Sequence, residues 1–177
     1  MNSMHSIDIS IESPDWGVLA DAEAIAEKAA AAALASETHG LELSLVLTSD
    51  EFVCALNRDY RGRDEPTNVL SFPGEAPPEG GAAAERPVLL GDVIIAFGVA
   101  RCEAEADDRG ISLGDHLSHL VIHGVLHLLG HDHQAEAEAE VMEGLETRLL
   151  SSLGIDDPYR DMDAGYSHES QDERRAR

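Results

Sequence analysis

Positive charge is scarce in this sequence. Lys28 is its one lysine, and 12 Lys and Arg residues face 35 Asp and Glu residues, which gives a formal net charge of -23. Because phosphate binding normally rests on Lys and Arg, this balance argues against tight, non-specific binding of nucleic acid. A local basic site remains possible, since Arg58, Arg61 and Arg63 lie close together in the sequence. Over the rest of the surface the acidity favours solubility.

Cysteines and long apolar runs are scarce as well. Cys54 and Cys102 are far apart and form no C-x-x-C pair, which predicts buried, reduced thiols and a cytoplasmic location. No apolar run approaches the roughly 20 residues of a membrane helix, and no secretory signal is recognisable at the N-terminus. A chain of this length buries most of its surface without disulfides. We expect one domain over residues 1–153, no membrane partner, and a disordered polar tail over 154–177.

Histidines, by contrast, are concentrated between His123 and His133, where the sequence is His-Gly-Val-Leu-His-Leu-Leu-Gly-His-Asp-His. His123 and His127 are spaced i, i+4, so on a helix they lie on one face. Ser112, followed by Asp115, predicts the start of that helix, and Gly130 favours a left-handed turn just past its end. The sequence therefore predicts a helix from Ser112 to Leu129 and a turn that returns a third histidine to the first two.

This pattern favours a zinc site over histidines scattered on a solvated face. Three neutral imidazoles are good zinc ligands and leave a fourth position for water, which zinc makes acidic enough to act as hydroxide near neutral pH. The spacing matches the metzincin signature His-Glu-x-x-His-x-x-Gly-x-x-His, with one difference. Gly124 stands where those proteases have the glutamate that serves as general base.

The same stretch, in the form His-Gly-x-Leu-His-Leu-x-Gly-x-Asp-His, resembles the signature of the YbeY family, bacterial single-strand-directed endoribonucleases that act in ribosomal RNA maturation. The resemblance implies one Zn²⁺ per chain with His123, His127 and His133 as ligands, and His123 as part of the catalytic site. His131 stands where the family usually has Tyr. Spacing alone leaves His131 as a competitor of His133.

A second segment, residues 56–73, resembles another signature of that family, Leu-Asn-x-x-Tyr-Arg followed by Thr-Asp-Val-Leu-Ser-Phe-Pro. By motif position the family's functional arginine falls on Arg61. Its guanidinium can offer two parallel donors to phosphodiester oxygens as charge builds on them. Asn68 stands where the family usually has Asp, which leaves the role of a carboxylate there open.

Three further polar residues have alternative interpretations. His119 lies one turn before His123 and can contact substrate, orient a ligand or be satisfied within the protein. Asp132 can hold a ligand imidazole or bond backbone N–H groups in the turn. Asp92, within an apolar strand, can be a structural carboxylate or lie near the metal.

The predicted fold is α+β, a zincin-like domain by the resemblance, with a small mixed sheet packed against helices. Apolar alternation and caps predict strands near 5–11, 41–47, 67–72 and 88–96, and helices over 14–35, 51–60, 97–108, 112–129 and 136–150. Residues 74–87 are rich in Gly, Pro and Ala and are expected to form a flexible loop. In the last helix we expect Val141, Met142, Leu145 and Leu149 on one buried face.

The resemblance and the metal pattern together predict a metal-dependent endoribonuclease of ribosomal RNA maturation and ribosome quality control. Its expected partners are an RNA precursor and the ribosome or small-subunit components. One alternative is a metzincin-like metalloprotease, which Gly124 disfavours. Another is a non-catalytic ribosome-assembly factor with structural zinc, for which four protein ligands would be expected. Water and an RNA 2′-hydroxyl both remain candidates for the nucleophile.

Overall fold

A four-stranded sheet forms the centre of the computed structural model, which describes residues 5–74 and 87–160. The strands are β1 (Ser6–Ile11), β2 (Leu41–Thr48), β3 (Val69–Pro73) and β4 (Val88–Ala96). Their order in the sheet is β1-β2-β4-β3. The pairs β1–β2 and β2–β4 are parallel, and β3 runs antiparallel to β4 along one edge. The predicted mixed sheet is therefore confirmed.

Helices cover both faces of this sheet. They are α1 (Ala22–Leu34), α2 (Asp50–Arg61), α3 (Phe97–Ala106), α4 (Leu113–Leu128) and α5 (Glu136–Ser152). Alternation along β4 divides the core: Val93 and Ile95 join the large cluster with α1 and α4, whereas Ile94 packs with Val53 of α2 in a smaller one. The α+β class is confirmed, and α4 packs against the sheet with Val121 and Val125 fully buried.

The first predicted helix is divided in two. Residues Pro14–Val18 form a short 3-10 helix, Leu19 is extended, and α1 begins only at Ala22. Trp16 fixes the first piece, because it is buried and its Nε1 donates to the carbonyl oxygen of Thr48 at 3.2 Å. Gly17 next to it disfavours a continuous helix. The prediction of one helix from Pro14 to Ala35 was wrong because a tertiary contact of Trp16 overrides the local pattern.

Both cysteines are free thiols, but they are not both buried. Cys54 is half-buried and Cys102 is exposed on α3, so the prediction of a buried thiol is wrong for Cys102.

Most of the predicted loop, residues 75–86, and most of the predicted tail, residues 161–177, lie outside the described residues. Residues 154–160 are described and contact α5. Within the described ranges, no helix is long and apolar enough to cross a membrane.

Candidate metal centre

Helix α4 packs on the core with one side and presents histidines on the other. It begins as predicted, because the Ser112 hydroxyl accepts a hydrogen bond from the backbone N–H of Asp115 at 3.0 Å. After its end, Gly130 has a φ of 93°, a left-handed conformation that glycine adopts without steric cost. This turn reverses the chain and places His133 beside the helix, as the sequence predicted.

Three imidazoles converge there. His123, His127 and His133 each offer a ring nitrogen, and these three atoms lie within 4.8 Å of one another. The Nε2 atoms of His123 and His127 are 3.1 Å apart, close to the separation of roughly 3.4 Å expected for two ligands of a tetrahedral zinc ion with Zn–N bonds of about 2.0–2.1 Å. His131 belongs to no such metal-capable group in the described part of the chain. The geometry therefore favours His133 over His131 as the third ligand.

In His123 and His127, the hydrogen-bond partner of Nδ1 determines which ring nitrogen carries the proton. Nδ1 of His127 lies 3.0 Å from the carbonyl oxygen of His131, and Nδ1 of His123 lies 2.7 Å from Oε1 of Glu146. Both partners accept hydrogen bonds, so each Nδ1 donates, and a ring in its neutral form then has its lone pair on Nε2. Burial lowers the pKa of His127, and the neighbouring His123 and His133 act in the same direction. Two lone pairs facing each other at 3.1 Å fit a bound cation.

A buried carboxylate that the sequence analysis missed lies behind this pair. Glu146 of α5 is 1% exposed, and its Oε2 accepts hydrogen bonds from Nε2 of His119 at 3.0 Å and from the hydroxyl of Tyr159. Burial raises the pKa of Glu146, but the hydrogen bonds from His119 and His123 outweigh it and hold the pKa at about 2. Burial, followed by Glu146, raises the pKa of Tyr159, so its hydroxyl stays protonated and donates. His119 is thus satisfied within the protein.

Gly124 is the point at which α4 touches the sheet. A Cβ atom at this position would lie 2.6 Å from Cγ1 of Val93 and 3.1 Å from the hydroxyl oxygen of Ser71. That hydroxyl donates to the carbonyl oxygen of Gly124 at 3.0 Å. The residue after the first histidine therefore faces the sheet and leaves no space for the glutamate of a metzincin protease.

An open cleft of about 900 Å³ lies in front of the three histidines, with Arg61 and Arg63 among its lining residues. Arg61 is the last residue of α2, and Gly62 ends that helix in a left-handed conformation with a φ of 69°. Arg58 forms ion pairs with Asp59 and Asp64. Within residues 5–74 and 87–160, the ion pairs include no acidic partner for Arg61 or Arg63. Arg61 and Arg63 thus border the cleft without an ion pair to any acidic side chain in the described part of the chain.

Asn68, where the resemblance expects an aspartate, also lines the cleft. Its Nδ2 donates to both carboxylate oxygens of Glu103, at 3.2 and 3.1 Å, and its Oδ1 accepts from the N–H of Val69 at 2.7 Å. Glu103 also pairs with His116, whose Nε2 lies 2.8 Å from its Oε2. An aspartate at position 68 would place a second carboxylate against Glu103, so the amide suits this neighbour.

The two remaining acidic candidates, Asp132 and Asp92, lie in different surroundings. Asp132 accepts a hydrogen bond from the backbone N–H of His133 at 2.7 Å and so stabilises the turn. Asp92 is exposed. Along β4 it alternates with Val93, the residue that contacts Gly124 on α4, so Asp92 lies on the sheet face away from the histidines. This position does not fit the alternative that places Asp92 near the metal.

A mixed sheet that carries a helix with a histidine pair one turn apart, followed by a glycine turn and a third histidine, defines a zincin-like protein with a metal-capable site. The family model described as Endoribonuclease YbeY matches residues 8–154. The chain belongs to this family, as its two signatures predicted.

Curated relatives and a solved structure agree with this assignment. The chain is 52% identical over 157 residues to Endoribonuclease YbeY of Paramagnetospirillum magneticum, covering 86% of this chain and 94% of that protein. It is 47% identical over 168 residues to Endoribonuclease YbeY of Rhodopseudomonas palustris, covering 92% and 85%. The solution structure of TM1509 from Thermotoga maritima is similar in fold, with a TM-score of 0.53 at 20% identity over 96% of this chain and 99% of that one.

Proposed function

We propose that this chain is a zinc-dependent endoribonuclease that cleaves single-stranded RNA during ribosomal RNA maturation and ribosome quality control. The observation that carries the proposal is the open cleft with three convergent histidines and two arginines on its walls. Family membership supports the endonucleolytic activity, because the matched model and the relatives bear the name Endoribonuclease YbeY. An RNA precursor and the ribosome or its small-subunit components are the proposed partners, in the cytoplasm.

His123, His127 and His133 are the proposed zinc ligands, one ion per chain. When bound, zinc supplies Lewis-acid activation of a nucleophile and stabilises negative charge. The carbonyl oxygen of His131 and the carboxylate of Glu146 keep the Nδ1 protons of His127 and His123 in place. Both rings then offer Nε2 to the ion without any change of tautomer.

Arg61 is the proposed stabiliser of the phosphodiester in the transition state. Charge develops on the non-bridging oxygens during cleavage, and a preorganised donor contributes most where that charge appears. Arg61 is the last residue of α2, which ends at the left-handed Gly62, and it lines the same cleft as His123. A single-stranded substrate fits this arrangement better than a duplex, because its backbone can bend into a cleft and approach the histidines closely.

The two alternatives each lack a feature that they require. A metzincin-like protease needs a proton acceptor at position 124. The contact of Gly124 with Val93 leaves no space for such a side chain. A structural zinc site is normally closed by four protein ligands. Among the described residues the group that contains His133 has three members, and it faces the cleft.

The test is a comparison of substrates on one preparation. Protein carrying one equivalent of zinc is incubated with a single-stranded RNA, a structured RNA of the same length and casein, each with and without a chelator. We expect chelator-sensitive endonucleolytic products from the single strand, fewer from the structured RNA and none from casein. Casein hydrolysis that the chelator abolishes would favour the protease. Tight zinc binding with no product from any substrate would favour the assembly factor.

A further inference from the structure

We propose that Glu146 is a positioning residue for the metal site, and that Tyr159 joins the C-terminal segment, residues 154–160, to that site through Glu146. Metal binding at one end of this unit and docking of the C-terminal segment at the other would then stabilise each other. The inference rests on the zinc ligands proposed above. It goes beyond them, because neither Glu146 nor the C-terminal segment belongs to the ligand set or to the cleft.

Glu146 is suited to act on His123 rather than merely to fill space. Its carboxylate is 1% exposed, and the burial of a charged group is costly unless hydrogen bonds and nearby opposite charge offset it. Three donors use both oxygens, namely His123 on Oε1 and His119 and Tyr159 on Oε2. None of the three carries a formal charge when the imidazoles are neutral. A cation bound at Nε2 of His123 would supply the missing positive charge.

The hydrogen bond from His123 to Glu146 also fixes the tautomer and the orientation of the His123 ring. A free imidazole can place its proton on either nitrogen and rotate about its bond to Cβ. With Nδ1 held 2.7 Å from the carboxylate, Nε2 is left unprotonated and directed at His127. Partners of this kind fix the orientation and raise the basicity of a ligand, and their loss typically lowers metal affinity or activity about 10–100-fold.

The C-terminal segment is anchored at points that do not involve the histidines. Asp157 accepts hydrogen bonds from the hydroxyl of Thr147 at 3.1 Å and from the N–H of Tyr159 at 2.8 Å. A guanidinium nitrogen of Arg109 donates to the carbonyl oxygen of Pro158 at 2.8 Å. These contacts place the Tyr159 hydroxyl on Glu146. Because binding free energies are reciprocal, a segment that helps to hold Glu146 for the metal must itself be held more firmly when the metal is bound.

The first arm of the test measures zinc affinity of the full-length protein by competition with a chelator. Glu146→Gln keeps the size of the side chain but removes its charge, and we expect zinc affinity to fall about 10–100-fold. Tyr159→Phe should lower it less, and Glu146→Asp should recover part of what Glu146→Gln loses. The matched control is Glu140→Gln, which removes an exposed carboxylate from the same helix and should leave affinity within about twofold of the parent, well below the loss expected for an outer partner. The cobalt-substituted proteins should report the same order, with a changed visible spectrum for Glu146→Gln.

The second arm follows hydrogen exchange of the parent with and without zinc. We expect zinc to slow exchange of the amides of Gly154, Ile155 and Tyr159, and Tyr159→Phe to reduce that protection. A parent that binds no zinc would overturn the ligand assignment, and this inference with it. A parent that binds zinc tightly, with Glu146→Gln and Tyr159→Phe binding it equally well or with no zinc-dependent protection of the segment, would overturn this inference alone. If Glu146→Gln fails to fold, the zinc affinity of Tyr159→Phe and the hydrogen exchange of the parent still test the inference.

Discussion

At the scale of single residues, His131 and His133 contribute to the candidate site with different atoms. His133 offers a ring nitrogen to the candidate site, whereas His131 contributes its backbone carbonyl oxygen to Nδ1 of His127. Any residue supplies a carbonyl oxygen. We therefore expect His133→Ala to lose most of its zinc, as His127→Ala should, and His131→Tyr to keep about one equivalent per chain. Elemental analysis of the purified variants measures this, and the opposite pattern would mean that the two histidines have exchanged roles.

Arg61 and Arg63 offer a matched pair of charges in the cleft. Arg61 occupies the motif position and the end of α2, and Arg63 follows two residues later. If Arg61 stabilises the transition state, Arg61→Ala should lower the cleavage rate by ~10²–10³ while zinc content and melting temperature stay unchanged. Arg61→Lys should restore only part of the rate, because an ammonium cannot make the planar two-pronged contact.

The control for that prediction is Arg63→Ala, which should have a much smaller effect on the rate of RNA cleavage. An Arg61→Ala protein that cleaves as fast as the parent would remove Arg61 from the chemistry. A rate lost together with zinc or with the folded state would assign Arg61 a structural role instead.

At the scale of elements, the sequence predicted correctly those features that depend on neighbouring residues in the chain. Strand β4 has the predicted bounds, and α4 begins at the predicted cap, because alternation and capping depend on neighbours in sequence. The buried face of α5 was predicted at Val141, Met142, Leu145 and Leu149. Met142 is fully buried, and Leu145 and Leu149 are partly buried against the core, as predicted. Val141 is 58% exposed, and the other fully buried positions of α5 are Glu146 and Leu150.

The error on α5 and the omission of Glu146 have one cause. A glutamate is placed on the solvent side of a helix unless its partners are known. Those partners are remote in sequence: His123 lies 23 residues before Glu146, and Tyr159 lies 13 residues after it. The spacing of Met142, Glu146 and Leu150 at i, i+4, i+8 was the available signal, since it puts the carboxylate in line with two buried apolar residues.

Two helical glycines allow the contact between α4 and the sheet to be tested. A methyl group at Gly124 would meet Val93 at 2.6 Å, whereas the nearest atom to one at Gly144 of α5 is a side-chain nitrogen of Arg148 at 4.0 Å. Alanine favours a helix over glycine by up to about 1 kcal/mol, but overpacking costs about 1–3 kcal/mol. We expect Gly124→Ala to be less stable than the parent and Gly144→Ala to be as stable or more so. Urea unfolding of the metal-free proteins measures both, and a stabilised Gly124→Ala would mean that α4 moves easily away from β4.

At the scale of the whole molecule, a net charge of -23 surrounds a cleft that the structure lines with two arginines. Long-range repulsion and few phosphate contacts both limit the affinity for RNA. We therefore propose that recognition depends on close contacts at the histidines and Arg61 rather than on the general field of the protein. This resolves the conflict between an acidic composition and an RNA substrate, because a single phosphodiester needs only local positive charge at the point of cleavage.

The salt dependence of RNA binding tests this account. Each phosphate neutralised by a cation contributes about -0.7 to the slope of log K against log salt for a single strand, so two arginines predict a slope of about -1.4. Metal-free protein and a single-stranded RNA allow binding to be measured without cleavage. Arg61→Ala and Arg63→Ala should each make the slope shallower by about 0.7, whereas replacement of Arg58, which Asp59 and Asp64 already pair, should change it little. A slope of about -4 or steeper would require cations outside the cleft to contact the strand, and the clustered Arg174, Arg175 and Arg177 would be the first to replace.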